Sequence, residues 1–139
     1  MEISVGNSRY TIPITTIREA IKPLKSNIIS DINGHEAIML RGNCIEILRL
    51  YKEFNIDTNI TEPEDGILVI VQNETDTFAL LADKLLGEHQ IVVKPMPDYM
   101  GKITGVSGCS ILGDGRISLI LDIAGLLERN GRAKQEVWE

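Results

Sequence analysis

Few residues in this chain have the type and spacing that chemistry requires. His35 and His89 are its two histidines, and neither has a second His or a Cys at the spacing a tetrahedral metal site uses. Both read as loop residues, with His35 just after an Asn33-Gly34 turn. Cys44 and Cys109 stand far apart, and a pair alone reads as two buried, reduced thiols rather than a disulfide. Glu62, Glu64 and Asp65 could hold a weak cation, but a solvated acidic linker explains them better. The turn Gly113-Asp114-Gly115 resembles a phosphate loop only superficially. Such a loop aims backbone amides and usually a Lys at the anion from a helix N-terminus. Here an Asp sits at the tip and a strand follows, so Gly113, Asp114 and Gly115 read as a structural turn. Nucleophile elbows, Walker loops and paired catalytic carboxylates on one strand are absent. The sequence points to no catalytic residue, no metal and no cofactor.

The elements that would have to position such residues are mostly strands. With 139 residues the chain is one domain long and can bury a core without disulfides or metals. It has 12 Gly, 2 Phe, 1 Trp and 3 Tyr among abundant Ile, Leu and Val, which favours strands with aliphatic packing. A net charge of −6, with 14 Lys and Arg scattered along the chain, argues against nucleic acid, which needs a clustered positive field. No apolar run approaches the roughly 20 residues of a membrane-spanning helix, and no export signal opens the chain.

In chain order, Ile3 and Val5 mark a first strand, and Tyr10, Ile12 and Ile14 share one face of a second. Pro13 makes that second strand an edge or a bulged one. The stretch from Ile17 to Ile21 fits either a helical turn opened by a Thr16–Glu19 capping box or an extended segment. Extended segments follow over Ser26–Ile32, Glu36–Arg41 and Cys44–Leu50, separated by Asn33-Gly34 and Gly42-Asn43, with a helical stop over Tyr51–Phe54. After an acidic boundary at Ile56–Asp65, strands are expected over Gly66–Gln72 and Thr77–Asp83, and another within Leu85–Val93 after Gly87. A hairpin then runs from Gly105 to Asp122. In its second strand Ile117, Leu119 and Leu121 point one way and Ser118 and Ile120 the other, and Asp122 caps a last short helix.

The chain repeats itself. Ala37–Leu40, a turn with Gly42 and Ile47–Leu50 match Ser110–Gly113, a turn with Gly115 and Ile120–Ile123, and each half opens with a hairpin. The fold class read from this is all-β: two small five-stranded barrels over about residues 1–60 and 61–128, sharing a core or exchanging strands, and a polar tail over 129–139. Strand edges and barrel grooves of this kind serve to dock other proteins.

The runs DKLLGEHQIVVKP and GVSGCSILGDGRISLILDIAGLL, with RYTIPITTIREAI and MLRGNCIEILRL before them, resemble the C-terminal regulatory, CheW-like domain of chemotaxis histidine kinases of the CheA type. The resemblance covers nearly the whole chain. It implies two intertwined SH3-like barrels and a non-catalytic domain that couples chemoreceptors to the kinase. The partners it implies are the CheW adaptor, the cytoplasmic tips of chemoreceptors and the kinase domain of a longer parent, in the cytoplasm at receptor arrays on the inner face of the membrane. A stand-alone CheW-type coupling protein is the alternative. The resemblance also places Ile17, Glu19 and Arg41 at positions tied to partner coupling, and a Glu19–Arg41 ion pair is expected there.

Overall fold

The computed structural model describes residues 1–30, 35–73, 76–88, 105–111 and 115–126. These form β1 (Glu2–Val5), β2 (Ser8–Thr11), β3 (Ile17–Ile21), β4 (Ile28–Ser30), β5 (Glu36–Leu40) and β6 (Asn43–Arg49). A one-turn helix α1 (Leu50–Glu53) precedes β7 (Ile67–Asn73), β8 (Asp76–Ala82), β9 (Lys84–Gly87), β10 (Val106–Ile111) and β11 (Ile117–Leu121). Residues 123–126 are helical again, and the Asp122 carbonyl accepts the Leu126 amide at 3.0 Å, the bond a cap position makes.

The strands make two sheets, of order β10-β11-β2-β1-β9 and β3-β7-β8-β6-β5-β4. Each mixes strands from early and late in the chain, so the fold is all-β and intertwined as the repeat led one to expect. The second sheet carries six strands rather than five, the extra one being the three-residue β4. Neighbours within a hairpin pair antiparallel. Of the four junctions between strands distant in the chain, β11 against β2 and β6 against β8 are parallel, while β1 against β9 and β3 against β7 are antiparallel.

Alternation along the strands then sorts side chains into layers. Ile3, Val5, Tyr10, Ile12 and Leu121 of the first sheet meet Leu48, Val69, Val71, Phe78 and Leu80 of the second in one core between the sheets. Ile38, Ile45, Ile47, Leu68, Ile70, Ala79 and Leu81 fill a second core on the far face of the six-stranded sheet. The far face of the five-stranded sheet is different. There Glu2, Thr11, Ser118 and Ser110 are buried, and register places Glu2 opposite Thr11 and Ser110 opposite Ser118. Thr11 Oγ1 and Ser118 Oγ share a hydrogen bond of 2.8 Å, while Ser110 Oγ and Glu2 Oε2 are buried without a partner.

Several sequence expectations are corrected. The second strand ends at Thr11, and Ile14 is exposed on a 3-10 turn, because Pro13 cannot donate to a ladder. The undecided stretch from Ile17 to Ile21 is strand, held by β7. The turn after β5 is Arg41-Gly42, one residue earlier than expected, with Leu40 opposite Asn43. Cys44 is exposed, although Cys109 is buried. Pro63 is buried within the acidic boundary, which folds into a 3-10 turn over Pro63–Asp65. β9 occupies Lys84–Gly87, while the strand expected after Gly87, Asn33-Gly34, His89 and the tail over 129–139 lie outside the described residues.

Tyr10 stacks on Phe54 at 5.1 Å between ring centroids, and burial pushes its phenol from 10.0 up to about 12 despite an opposing bond with Ser8. A neutral phenol is thus favoured in the folded state. The stability this contributes is complete below the unfolded value of 10.0 and is lost as pH rises towards 12. Tyr10→Phe is expected to raise the midpoint of alkaline unfolding, measured by circular dichroism, and to leave unfolding at pH 7 nearly unchanged.

Candidate protein interface

The two residues expected to pair do so. Arg41 and Gly42 form a two-residue hairpin loop with φ of 50° and 81°. Two positive values are what such a loop needs to follow the twist of its strands, and Gly42 meets that need without strain. Arg41 adopts the left-handed region as a non-glycine residue, which aims its side chain from the β5–β6 turn across to β3. There Nη1 donates to Glu19 Oε2 at 2.7 Å and Nη2 to Oε1 at 3.1 Å, a bidentate fork. β3 lies at one edge of the six-stranded sheet, so the pair spans the mouth between that edge and the far hairpin. Hydrogen bonding from Arg41 holds the Glu19 carboxyl below its usual range, with the charges of Arg41 and Arg18 adding to it, and Glu19 in turn raises Arg41. Arg41 keeps 72% of its side chain exposed against 27% for Glu19. Such a pair is available to a partner.

Ile17 lies beside this pair in sequence but not in role, since it is partly buried against the core between the sheets. Gly115 has φ 84° and open space around it, as a turn glycine should, whereas Gly113 and Asp114 lie outside the described residues. Among the described residues the last registered pair of this hairpin is Ile111 opposite Ile117. That pair leaves two large apolar side chains side by side on the surface, 54% and 48% exposed. The equivalent hairpin, β5–β6, exposes Met39 opposite Cys44.

Two polar clusters that sequence reasoning missed fix other parts of the fold, one the β5–β6 hairpin and one the β1–β2 hairpin. Arg49 Nη2 donates to Glu36 Oε2 at 2.6 Å, with Nε in ion-pair contact with Oε1 at 2.5 Å, and its Nη1 donates to the Tyr51 hydroxyl at 2.8 Å and the Thr61 carbonyl at 2.9 Å. Burial opposes this charge, yet Glu36 and Tyr51 outweigh it and keep Arg49 above its usual range. Asp83, between β8 and β9, accepts the Gly6 amide at 2.9 Å and the Thr58 hydroxyl at 2.6 Å on Oδ2, and its own amide donates to Ser4 at 2.8 Å. A Cβ at Gly6, where φ is 58°, would collide with the Asp57 carbonyl. Nothing in local pattern marks either cluster, because their partners are set by the tertiary fold. Among the described residues no group of three or more His, Cys, Asp or Glu is placed to hold a metal ion.

The family model for the CheW-like domain matches residues 1–131. The chain belongs to the CheW-like domain family. Over 137 residues this CheW-like domain is 31% identical to chemotaxis protein CheA of Salmonella typhimurium, covering 99% of the chain and 20% of that protein. It is 38% identical over 128 residues to chemotaxis protein CheA of Treponema pallidum, covering 91% of the chain and 16% of that protein. The chain thus spans at most about a fifth of the curated relatives it matches. Its fold is shared with the crystal structure of the scaffolding protein TtCheW from Thermoanaerobacter tengcongensis (TM-score 0.70, 21% identity, 88% of this chain and 86% of that one).

Removing the Asp83 carboxylate strands two partly buried donors, whereas the Arg41–Glu19 fork lies in water. Asp83→Ala is therefore expected to cost about 1–3 kcal/mol in urea unfolding, with Asp83→Asn recovering part of it. Arg41→Ala should leave the urea midpoint nearly unchanged. A reversed order would put the structural weight on the surface pair.

Proposed function

We propose that this CheW-like domain is the regulatory domain of a chemotaxis histidine kinase of the CheA type. In this role it binds a CheW adaptor and the cytoplasmic tips of chemoreceptors, at receptor arrays on the inner face of the membrane. The observation that carries the reading is the way the CheA relatives align: over nearly the whole chain here, but over only 20% and 16% of their own length. A domain that recurs within longer kinases is best read as their non-catalytic coupling part, with ATP binding and phosphoryl transfer elsewhere in the parent.

The surface proposed for docking is the mouth of the six-stranded sheet, where Glu19 and Arg41 form a charged fork and Ile17 beneath fixes the strand that carries Glu19. Apolar contact near such a fork with a polar rim gives a specific, modest interface. Coupling through it would bias the position of an attached kinase module by about 1–3 kcal/mol, the usual scale between linked sites. The compact body then runs over residues 1–128 and the polar tail over 129–139.

A stand-alone CheW-type adaptor is the second reading, favoured by the likeness to TtCheW, which spans 88% of this chain and 86% of that one. Calorimetric titration separates the two. The kinase-domain reading expects saturable binding near 1:1 to the CheW adaptor of the same organism. The adaptor reading expects binding to an isolated CheA regulatory domain instead. Arg41→Glu is expected to weaken binding at least about tenfold, and the swap Glu19→Arg with Arg41→Glu to restore part of it. Unchanged binding in Arg41→Glu, with the fold intact by circular dichroism, would remove this surface from the interface.

A further inference from the structure

The two sheet faces that turn away from the shared core are filled differently. The six-stranded sheet closes over an apolar cluster, whereas the five-stranded sheet buries a row of polar side chains. Ser110 on β10, Ser118 on β11, Thr11 on β2 and Glu2 on β1 follow one another across four neighbouring strands. All four are buried, and the Glu2 side chain is only 4% exposed. Burying such groups is costly unless each finds a hydrogen-bond partner. Yet the row contains one direct bond, 2.8 Å between Thr11 Oγ1 and Ser118 Oγ. Glu2 Oε1 accepts from Arg9 Nη1 at 3.2 Å, while Glu2 Oε2 and Ser110 Oγ are left over.

Counting protons gives the row a direction. When two hydroxyls bond to each other, one proton is used and the other must go elsewhere. Thr11 stands opposite Glu2 in register, and Glu2 is the one buried acid among the described residues. Ser118 therefore donates to Thr11, and the Thr11 proton is directed towards the open Glu2 oxygen. Met1 and Ile12 exchange bonds of 3.2 and 2.8 Å, so Glu2 and Thr11 form the adjacent, non-hydrogen-bonded pair. Side chains in such a pair start about 4.5–5.5 Å apart at Cβ. Glu2 Oε2 makes no direct bond, and this spacing suits one water making two bonds of about 2.8 Å. At the other end Ser110 stands opposite Ser118. A water there accepts the orphan Ser110 proton and donates to Ser118. A cation fits less well, since Arg9 already matches the Glu2 charge and the other gap is lined by hydroxyls.

We propose that this buried row is a binding site for two water molecules, one bridging Thr11 to Glu2 and one bridging Ser110 to Ser118. Bridged in this way, the row runs without a break from β10 to β1 and ties the late hairpin to the early one. Buried waters of this kind hold polar groups that the chain itself does not pair. The proposal goes beyond the proposed function and does not depend on it.

Two measurements on the full chain test it. In a high-resolution crystal structure, one solvent peak is expected within hydrogen-bond distance of both Thr11 Oγ1 and Glu2 Oε2. A second is expected between Ser110 Oγ and Ser118 Oγ, and Ser110→Ala should lose that peak alone. Urea unfolding of Ser110→Ala, Ser118→Ala and the double variant then gives the coupling between the two serine hydroxyls. The fold-loss in the folding equilibrium constant caused by Ser110→Ala should be at least about twofold larger with Ser118 present than with Ser118→Ala. The proposal is overturned if the peak between Thr11 and Glu2 is missing, or if the two serine substitutions act additively.

Discussion

A strand sheet built from half of this chain has edges it cannot close by itself, and the molecule depends on how those edges are satisfied. β1 and β2 are flanked by β9 and β11, while β7 and β8 lie between β3 and β6. Sequences of about 60 residues bury only a little over half the surface they expose when unfolded, which leaves such units marginal. Exchanging strands converts two marginal sheets into two layers around a common core, in which Phe78, Leu80 and Val69 pack against Ile3, Tyr10 and Leu121. Two of the four junctions so made, β11 with β2 and β6 with β8, run parallel, which strands joined by a tight hairpin cannot do.

Polar side chains act where that exchange leaves freedom. Asp83 sits at the passage from one sheet to the other and gathers Gly6 and Thr58 on one oxygen, fixing the first hairpin relative to the stretch that follows α1. Arg49 performs a similar role on the second sheet through Glu36, Tyr51 and Thr61. Both are shielded enough from water for charge-assisted bonds to hold geometry. The Glu19–Arg41 fork uses the same chemistry in the open, where it contributes a defined charged shape instead. The location of an ion pair, more than its geometry, divides structural from interfacial roles here.

Much of this was legible in the sequence. The continuous apolar runs of β7 and β8 and the alternation in the hairpin of β10 and β11 place those strands directly, and the internal repeat anticipates two related units that share a core or exchange strands. The Glu19–Arg41 pair was reached through family resemblance rather than pattern, since residues 22 positions apart on a strand and a turn share no local signal. Other features resist a linear reading for physical reasons. Alternation tells that Ile117 and Ser118 face opposite ways, but not that both faces of β11 are covered while Ile117 itself is left exposed at the hairpin end. Cys44 looked like a core residue by type, yet its place opposite Met39 is on the outer face of β5 and β6. Asp83 and Arg49 resemble ordinary surface charges until the fold brings Gly6 and Thr61 to them.

The central claim is that neither half of the chain holds a sheet without the other. Fragments 1–65 and 66–139, prepared separately and then mixed, test it by circular dichroism and amide resonance dispersion. Each fragment alone should be unfolded, and the equimolar mixture should regain strand structure with the dispersion of the intact chain. A fragment that folds cooperatively by itself would contradict the account.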